Sequence, residues 1–299
     1  MIERPSRVFV ANLDAELELI DAGYRRSSHM RAELRARASV LRESMRRTCG
    51  RDPVFVIDAH DDLGAVQPRD GDCWCPTPSA LATLRALGIE PSPAPTVEVL
   101  RRVNHRSFSA SLGPALPGAR FATQSDEVLR HLRDEPSRRF VLKRALSFAG
   151  RSRKILCARD LNSAATTWIA ASFTGHGIGL AVEPFVEISA DFSLHGLLAG
   201  DGSATFGRPV RLANQDGAFA SARPAVPGDL APSESDALHA AGASAADALS
   251  RAGYVGPFCI DAFRWRDERG SDRFHPLCEI NARYTMAWWI GMEGRLNAD

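Results

Sequence analysis

The sequence predicts an α/β protein whose first hundred residues build a parallel sheet and whose remainder builds α+β lobes. Three observations carry this expectation. Arg7-Val8-Phe9-Val10-Ala11 and Pro53-Val54-Phe55-Val56-Ile57-Asp58 are short apolar runs of the kind that form strands buried on both faces. Between them a helical pattern through Met30, Leu34, Leu41 and Met45 opens at Ser27 or Ser28 and stops by Gly50, which makes a strand, crossover helix, strand unit. From about Arg139 onward, by contrast, strand-like runs are joined by polar turns.

The elements follow in order. After the first strand the chain reads Asn12-Leu13-Asp14-Ala15-Glu16, without the glycines that a dinucleotide-binding turn requires, so a Rossmann oxidoreductase is not expected. The cluster Pro91-Ser92-Pro93-Ala94-Pro95 breaks the chain before a helix that begins near Thr96 and carries Val99, Leu100, Val103 and Phe108. Phe140-Val141-Leu142-Lys143 and Lys154-Ile155-Leu156-Cys157 form a strand pair around a polar turn, and a helix from about Asn162 to Phe173 ends at Gly175 and Gly177. Strands are expected around Leu180 to Val186 and Asp191 to Leu198, then an irregular loop from Gln215 to Pro232. Ser233-Glu234-Ser235-Asp236 starts a helix running to Gly253. Two last strands, Pro257 to Trp265 and His275 to Ile280, flank a charged turn from Arg266 to Arg273.

Composition narrows the class of function. The 299 residues suffice for two or three packed lobes, and 37 basic against 36 acidic side chains leave a formal charge of +1, so no bulk field draws the chain to nucleic acid or a membrane surface. With 44% hydrophobic and 24% charged residues it reads as a soluble globular protein. No run approaches the roughly 18 apolar residues of a membrane helix, and Met1-Ile2-Glu3-Arg4-Pro5 turns acidic where a signal peptide would turn hydrophobic, which places the expected location in the cytoplasm. Cys49, Cys73, Cys75, Cys157, Cys259 and Cys278 are dispersed, and no second Cys or His pair follows Cys73-Trp74-Cys75, so neither disulfides nor a zinc site are expected. The role of Cys73 and Cys75 is not readable.

The basic residues are 35 Arg and only 2 Lys, Lys143 and Lys154, both in one segment. A lysine retained against so strong an arginine bias suggests a site that needs a compact point charge, as phosphate oxygens in a tight pocket do. Lys143 stands at the end of a strand before Ser147-Phe148-Ala149-Gly150-Arg151-Ser152-Arg153, a small-residue turn that can bring backbone N–H groups to an anion; read alone, with its one glycine, it is a plain hairpin. Val182-Glu183-Pro184-Phe185-Val186-Glu187 with Asp191 beyond can present backbone groups and a carboxylate to a nucleoside, or form an acidic strand with proline at a sheet edge. Asp261 in one strand and Glu279 and Asn281 in the next can converge across a hairpin. Two carboxylates and an amide among apolar neighbours match the hard oxygen donors that Mg²⁺ takes.

In this order the segments resemble the ATP-grasp superfamily over roughly residues 100 to 295. Pro276-Leu277-Cys278-Glu279-Ile280-Asn281-Ala282-Arg283 is similar to its Glu-x-Asn-x-Arg signature, and Gly256-Pro257-Phe258-Cys259-Ile260-Asp261 to the aspartate strand before it. The resemblance implies a Rossmann-like pre-ATP-grasp domain over 1–98 and a two-lobed ATP-grasp domain over 99–299, with a small lobe over about 99–187 and a large lobe over about 188–299. It implies ATP with Mg²⁺, or Mn²⁺ in its place. Lys143 would contact the α/β-phosphates, Gly150, Arg151 and Ser152 would cover the phosphates, and Glu183, Phe185 and Val186 would form the adenine hinge. Asp191 would hold the ribose, Arg106 in Asn104-His105-Arg106 would be an earlier phosphate contact, and Asp261, Glu279 and Asn281 would hold the metal. Arg283 would serve the substrate or the transferring group. The loop has one glycine where members have several, which bears on turnover. The activity implied is ligation of a small-molecule carboxylate, activated as an acyl phosphate, to an amine or thiol. A phosphotransferase, a carboxylase or a non-catalytic ATP-binding protein are the alternatives. The substrates, the pathway and the oligomeric state are not readable, a homodimer being one state the chain allows.

Overall fold

The computed structural model describes residues 7–49, 53–61, 63, 68, 70–146, 152–174, 178–215 and 218–295. The chain opens with β1 (Arg7–Val10), α1 (Ala15–Ile20), α2 (Ser28–Cys49), β2 (Val54–Val56), β3 (Asp70–Cys73) and α3 (Pro78–Ala86). β1 lies between β2 and β3 in a parallel three-stranded sheet, with Val8 opposite Val54 on one side and Gly71 on the other. The expected strand, crossover and strand are therefore present. β3, reading Asp70-Gly71-Asp72-Cys73, has no apolar pattern to betray it. Its glycine serves a close approach, because a Cβ there would come within 2.8 Å of Leu84 and 3.1 Å of Ile89.

Next come α4 (Val97–Asn104), α5 (Arg106–Ala110), β4 (Arg120–Ala122), α6 (Ser125–Asp134), β5 (Phe140–Arg144), β6 (Arg153–Leu156), α7 (Ser163–Ala170) and β7 (Leu180–Pro184). Thr96 caps α4 as its position suggests, its hydroxyl accepting from Val99 N. The single helix expected through Phe108 is broken in two. His105 is extended, its ring nitrogen accepts from Ser107 N, and Arg106 starts the second helix. An antiparallel sheet in the order β4-β7-β5-β6 packs its apolar face against α6 and α7 through Val128, Leu132, Phe140, Leu142, Ile169 and Val182. The glycines Gly175 and Gly177 lie outside the described residues.

The rest of the chain forms β8 (Glu187–Leu198), β9 (Ala204–Phe206), β10 (Val210–Gln215), β11 (Ala218–Pro224), α8 (Pro232–Arg251), β12 (Gly256–Arg266), β13 (Asp272–Asn281) and α9 (Trp288–Gly291). The sheet order is β11-β10-β8-β12-β13, with β9 also paired to β8. Here the loop expected over 215–232 is corrected, because Ala218–Pro224 is an edge strand antiparallel to β10. Its alternating alanines carry little strand propensity, and the ladder to β10 holds what the sequence pattern does not announce. α8 starts one residue earlier than expected. Pro232 occupies its first turn, and Glu234 accepts from Ala231 N at 2.8 Å.

The parallel sheet and the large antiparallel sheet share one apolar core. Phe9, Leu34 and Leu41 are buried in the same cluster as Leu194, Tyr254, Phe258, Trp288 and Trp289. Tyr284 links the two, its ring stacked on Trp289 with centroids 5.2 Å apart and edge-on to Phe9 at 5.5 Å. His195 on β8 is wholly buried there, so burial drives its pKa down to about 3 and keeps the ring neutral, with Nε2 against Thr285 Oγ1 at 3.1 Å. No helix is long and apolar enough to cross a membrane, among the described residues.

Backbone contact closes this core beside β8, where Arg208 N donates to Gly291 O at 2.9 Å. A Cβ on Gly207 would sit 2.3 Å from that carbonyl oxygen, and backbone cannot swing aside as a side chain can. Gly207→Ala should therefore destabilise by about 1–3 kcal/mol or more. Gly200→Ala, with nothing within 4 Å of the added methyl, should be near neutral. Thermal denaturation of the two variants checks this, and equal midpoints would show the contact to be looser than drawn.

Candidate active site

Antiparallel pairing sets Asp261 directly opposite Glu279, and Cys259 opposite Asn281, across β12 and β13. Two carboxylates thus face one another in a buried place. Burial first, and then the charge of Glu279, push Asp261 up to about 7. Asn281 donates its amide to Asp261 Oδ2 at 2.8 Å, and the Cys259 thiol lies 3.5 Å from Oδ1. Burial would raise Glu279 as well, but Arg106 and Lys143 more than offset it and hold it below its ordinary value. The two acids are therefore unequal: Glu279 is the ionised one and Asp261 the one that shares a proton at neutral pH.

Arg106 Nη1 lies 2.9 Å from Glu279 Oε2. Its Nε donates to the carbonyl of Arg144 and its backbone N to that of Ala145, both at 3.0 Å, so the end of β5 fixes this arginine in place. Lys143, on β5, donates to Glu183 Oε2 on the neighbouring β7 at 2.7 Å, and each side chain is only 19% exposed. Burial alone would lower Lys143, yet Glu183 keeps it above its usual value. Arg106 from α5, Lys143 and Glu183 from the four-stranded sheet, and Asp261, Glu279 and Asn281 from the large antiparallel sheet thus form one electrostatic cluster. Lys154 stands apart from it, with its ammonium 5.7 Å from the Trp168 ring centre.

The other expected positions fall as follows. Gly150 and Arg151 lie outside the described residues; Ser152 accepts through its carbonyl from Arg144 N at 3.0 Å, as the closing residue of the β5–β6 turn. Phe185 is exposed, with the Arg139 guanidinium 4.1 Å from its ring centre, and its N–H is taken by the Arg139 carbonyl at 2.8 Å. Val186 follows as the link from β7 to β8. Glu183, expected in the adenine hinge, binds Lys143 through its carboxylate. Asp191 lines a cleft of about 450 Å³ with Arg211, Asn214, Ser221 and Arg223, and burial raises its pKa.

Arg283 is turned toward the parallel sheet. Its Nε and Nη2 both bind Glu16 Oε1 on α1, its Nη1 donates to Tyr284 O at 3.2 Å, and the Trp74 ring lies 5.7 Å from its guanidinium carbon. Glu16 is a residue that sequence reasoning missed. The available signal was its place just beyond the carboxyl end of a parallel strand, where open α/β sheets put ligands. His275 and Cys278 were missed too. Burial lowers the first and raises the second, and both lie within electrostatic reach of Lys143 and Glu183. No three His, Cys, Asp or Glu side chains converge on one point among the described residues, so the oxygen donors remain two carboxylates and an amide.

No protein-family model matches the sequence, and no curated protein matches it significantly. Solved structures do match. Biotin carboxylase from Campylobacter jejuni, in a βγ-ATP complex, aligns with 97% of this chain and 68% of its own at 13% identity and a TM-score of 0.58. D-cycloserine synthetase DcsG aligns over 97% and 98% at 15% identity and a TM-score of 0.51. D-alanyl-alanine synthetase A from Vibrio cholerae O1 biovar eltor aligns over 98% and 91% at 12% identity and a TM-score of 0.52.

Asp261 gives a pH signature. Its folded pKa of about 7 stands above the ordinary 3.8, so the fold favours the protonated acid. That contribution to stability is complete below the ordinary value and is lost as pH rises through about 7. In metal-free buffer the melting temperature of the native protein should therefore fall, relative to that of Asp261→Asn, between pH 4 and pH 7.5. Parallel pH profiles for the two proteins would refute the buried like-charge pair.

Proposed function

The chain has the ATP-grasp fold, and on that premise we propose that it is an ATP- and Mg²⁺-dependent ligase that activates a small-molecule carboxylate as an acyl phosphate and joins it to an amine. The observation that carries this reading is the cluster itself, in which two fixed cations on the small-sheet side meet two carboxylates and an amide on β12 and β13. Residues 1–98, 99–187 and 188–299 are proposed as the N-terminal domain, small lobe and large lobe.

The donor set suits magnesium. Asp261, Glu279 and Asn281 supply hard oxygens, and a dication would offset the burial and the repulsion by Glu279 that hold Asp261 partly protonated. When bound, the metal would neutralise phosphate charge and align the transferring group. The protein's share is positioning: Lys143 and Arg106 hold phosphate oxygens, and Asp191 in its cleft accepts from the ribose hydroxyls. The linker of Phe185 and Val186 flanks the base, and Gly150, Arg151 and Ser152 would cover the phosphates. Arg283, at the end of the same strand, would attract the substrate carboxylate or the acyl phosphate. Glu16 would set its orientation. Glu16 belongs to the N-terminal unit and Arg283 reaches it from beyond β13, which is why the acceptor pocket is proposed there.

Calorimetric titration with ADP and Mg²⁺ tests nucleotide binding directly. Lys143→Ala should weaken it about tenfold or more, since a charge-assisted contact is worth about 1.5–3 kcal/mol, whereas Lys154→Arg should leave it unchanged. No magnesium-dependent binding by the native protein would defeat the reading. Substrate class would follow from ATP consumption across amino acids and small carboxylates, with phosphate release and product mass measured together. ATP consumed with a phosphorylated product and no free phosphate would point instead to a phosphotransferase, and phosphate release with a carboxylated product to a carboxylase.

A further inference from the structure

Both cations assigned to the nucleotide phosphates are neutralised by carboxylates of the protein itself. Arg106 is bound to Glu279 at 2.9 Å, with side chains 11% and 30% exposed, and Lys143 is bound to Glu183 at 2.7 Å. The two pairs differ in one respect that matters. Glu279 is also assigned to the metal, and Glu183 is not.

We infer that the Arg106–Glu279 ion pair is a latch that couples metal and nucleotide binding, so that neither binds well until the other has taken one half of the pair. The inference rests on the nucleotide reading given above. Consider each ligand alone. A metal-free nucleotide must draw Arg106 from Glu279, and its phosphate oxygens would then lie beside a carboxylate that has lost its counterion. A metal ion alone must draw Glu279 from Arg106, leaving a dication beside a desolvated guanidinium that has lost that carboxylate. Arg106 has little freedom to retreat, because its Nε and backbone N are held by the carbonyls of Arg144 and Ala145. Both conflicts vanish when the ligands arrive together, as the carboxylate passes to the metal and the guanidinium to the phosphate. Each partner is exchanged for another of the same sign, and no buried charge is left alone. By linkage, the factor by which the metal tightens nucleotide binding is the factor by which nucleotide tightens metal binding.

Lys143 and Glu183 supply the internal control. Removing the Glu183 charge would free a phosphate cation without touching a metal donor. The two glutamates therefore make opposite predictions about metal dependence, which general relief of negative charge does not.

The test is ADP binding by calorimetry, in EDTA and in millimolar Mg²⁺, for the native protein, Glu279→Gln, Glu279→Asp and Glu183→Gln, with melting temperatures recorded for each. Native protein should bind ADP weakly in EDTA and at least tenfold more tightly with Mg²⁺. Glu279→Gln should bind metal-free ADP several-fold more tightly than native protein does, and Mg²⁺ should add little. Glu279→Asp, which keeps the charge but draws it away from Arg106, should gain metal-free affinity and retain part of the magnesium effect. That variant decides the matter if Glu279→Gln does not fold. Glu183→Gln should gain metal-free affinity and keep the full magnesium effect. If native protein binds Mg-ADP but neither Glu279 variant gains affinity in EDTA, the latch is refuted while the nucleotide site stands. If native protein binds ADP under neither condition, the nucleotide reading falls and the latch with it.

Discussion

Two carboxylates facing each other across adjacent strands, largely withdrawn from water, are the constraint around which this molecule is arranged. Asp261 and Glu279 are held together by the ladder of β12 and β13, and neither can move away without breaking it. A buried like-charge pair is tolerated only when neighbours supply opposite charge or a proton. Here both remedies are used. Arg106 and Lys143 keep Glu279 ionised, Asn281 donates to Asp261, and Asp261 retains a proton near neutrality. Around the pair stand groups from the four-stranded sheet, from α5 and from the strand itself, so the lobes meet where the charge problem lies.

The N-terminal unit is tied to the same place. Past the end of β13, Asn104 accepts from Ala282 N at 2.9 Å, Arg283 binds Glu16, and the Tyr284 hydroxyl donates to the half-buried Asp72 on β3. Three successive residues are thus fixed to three different elements. Together with the shared aromatic core, this makes the end of β13 a common anchor for the metal-type ligands and for the loop after β1. A substrate bound near Glu16 and Trp74 would lie next to the carboxylate pair by construction, with no hinge needed to deliver it.

Much of this was legible in the sequence. The alternation Glu279, Asn281, Arg283 and the apolar frame around Asp261 place the carboxylate pair correctly, because register across a hairpin follows from period-two alternation. The parallel unit was legible from two Val- and Phe-rich runs. What escaped detection did so for physical reasons. β3 and β11 are built from Asp, Gly, Ala and Ser, and only their ladders make them strands. The break at His105 depends on a side-chain cap that no periodicity records. The partners of Glu183, Arg283 and Arg106 lie 40, 267 and 173 positions away in sequence, so charge pairing at that range awaits the fold.

The arginine bias sharpens one last point. With 35 Arg available, the site still places one of the 2 Lys at the exit of β5, whereas Arg106 comes from α5. The geometry explains the division. Arg106 must hold two fixed acceptors at once, a carbonyl through Nε and a carboxylate through Nη1, and only a planar fork with separated donors can do so without moving. Lys143 sits between two close strands and touches one carboxylate with a single compact ammonium. A guanidinium would bring a broader, forked head to a place where one compact donor meets one carboxylate oxygen. Lys154, exposed to no such limit and resting over Trp168, could be either residue. The compact ammonium of Lys143 therefore stands within reach of Glu183 and Glu279, where the two antiparallel sheets come together, whereas Lys154 rests over a ring.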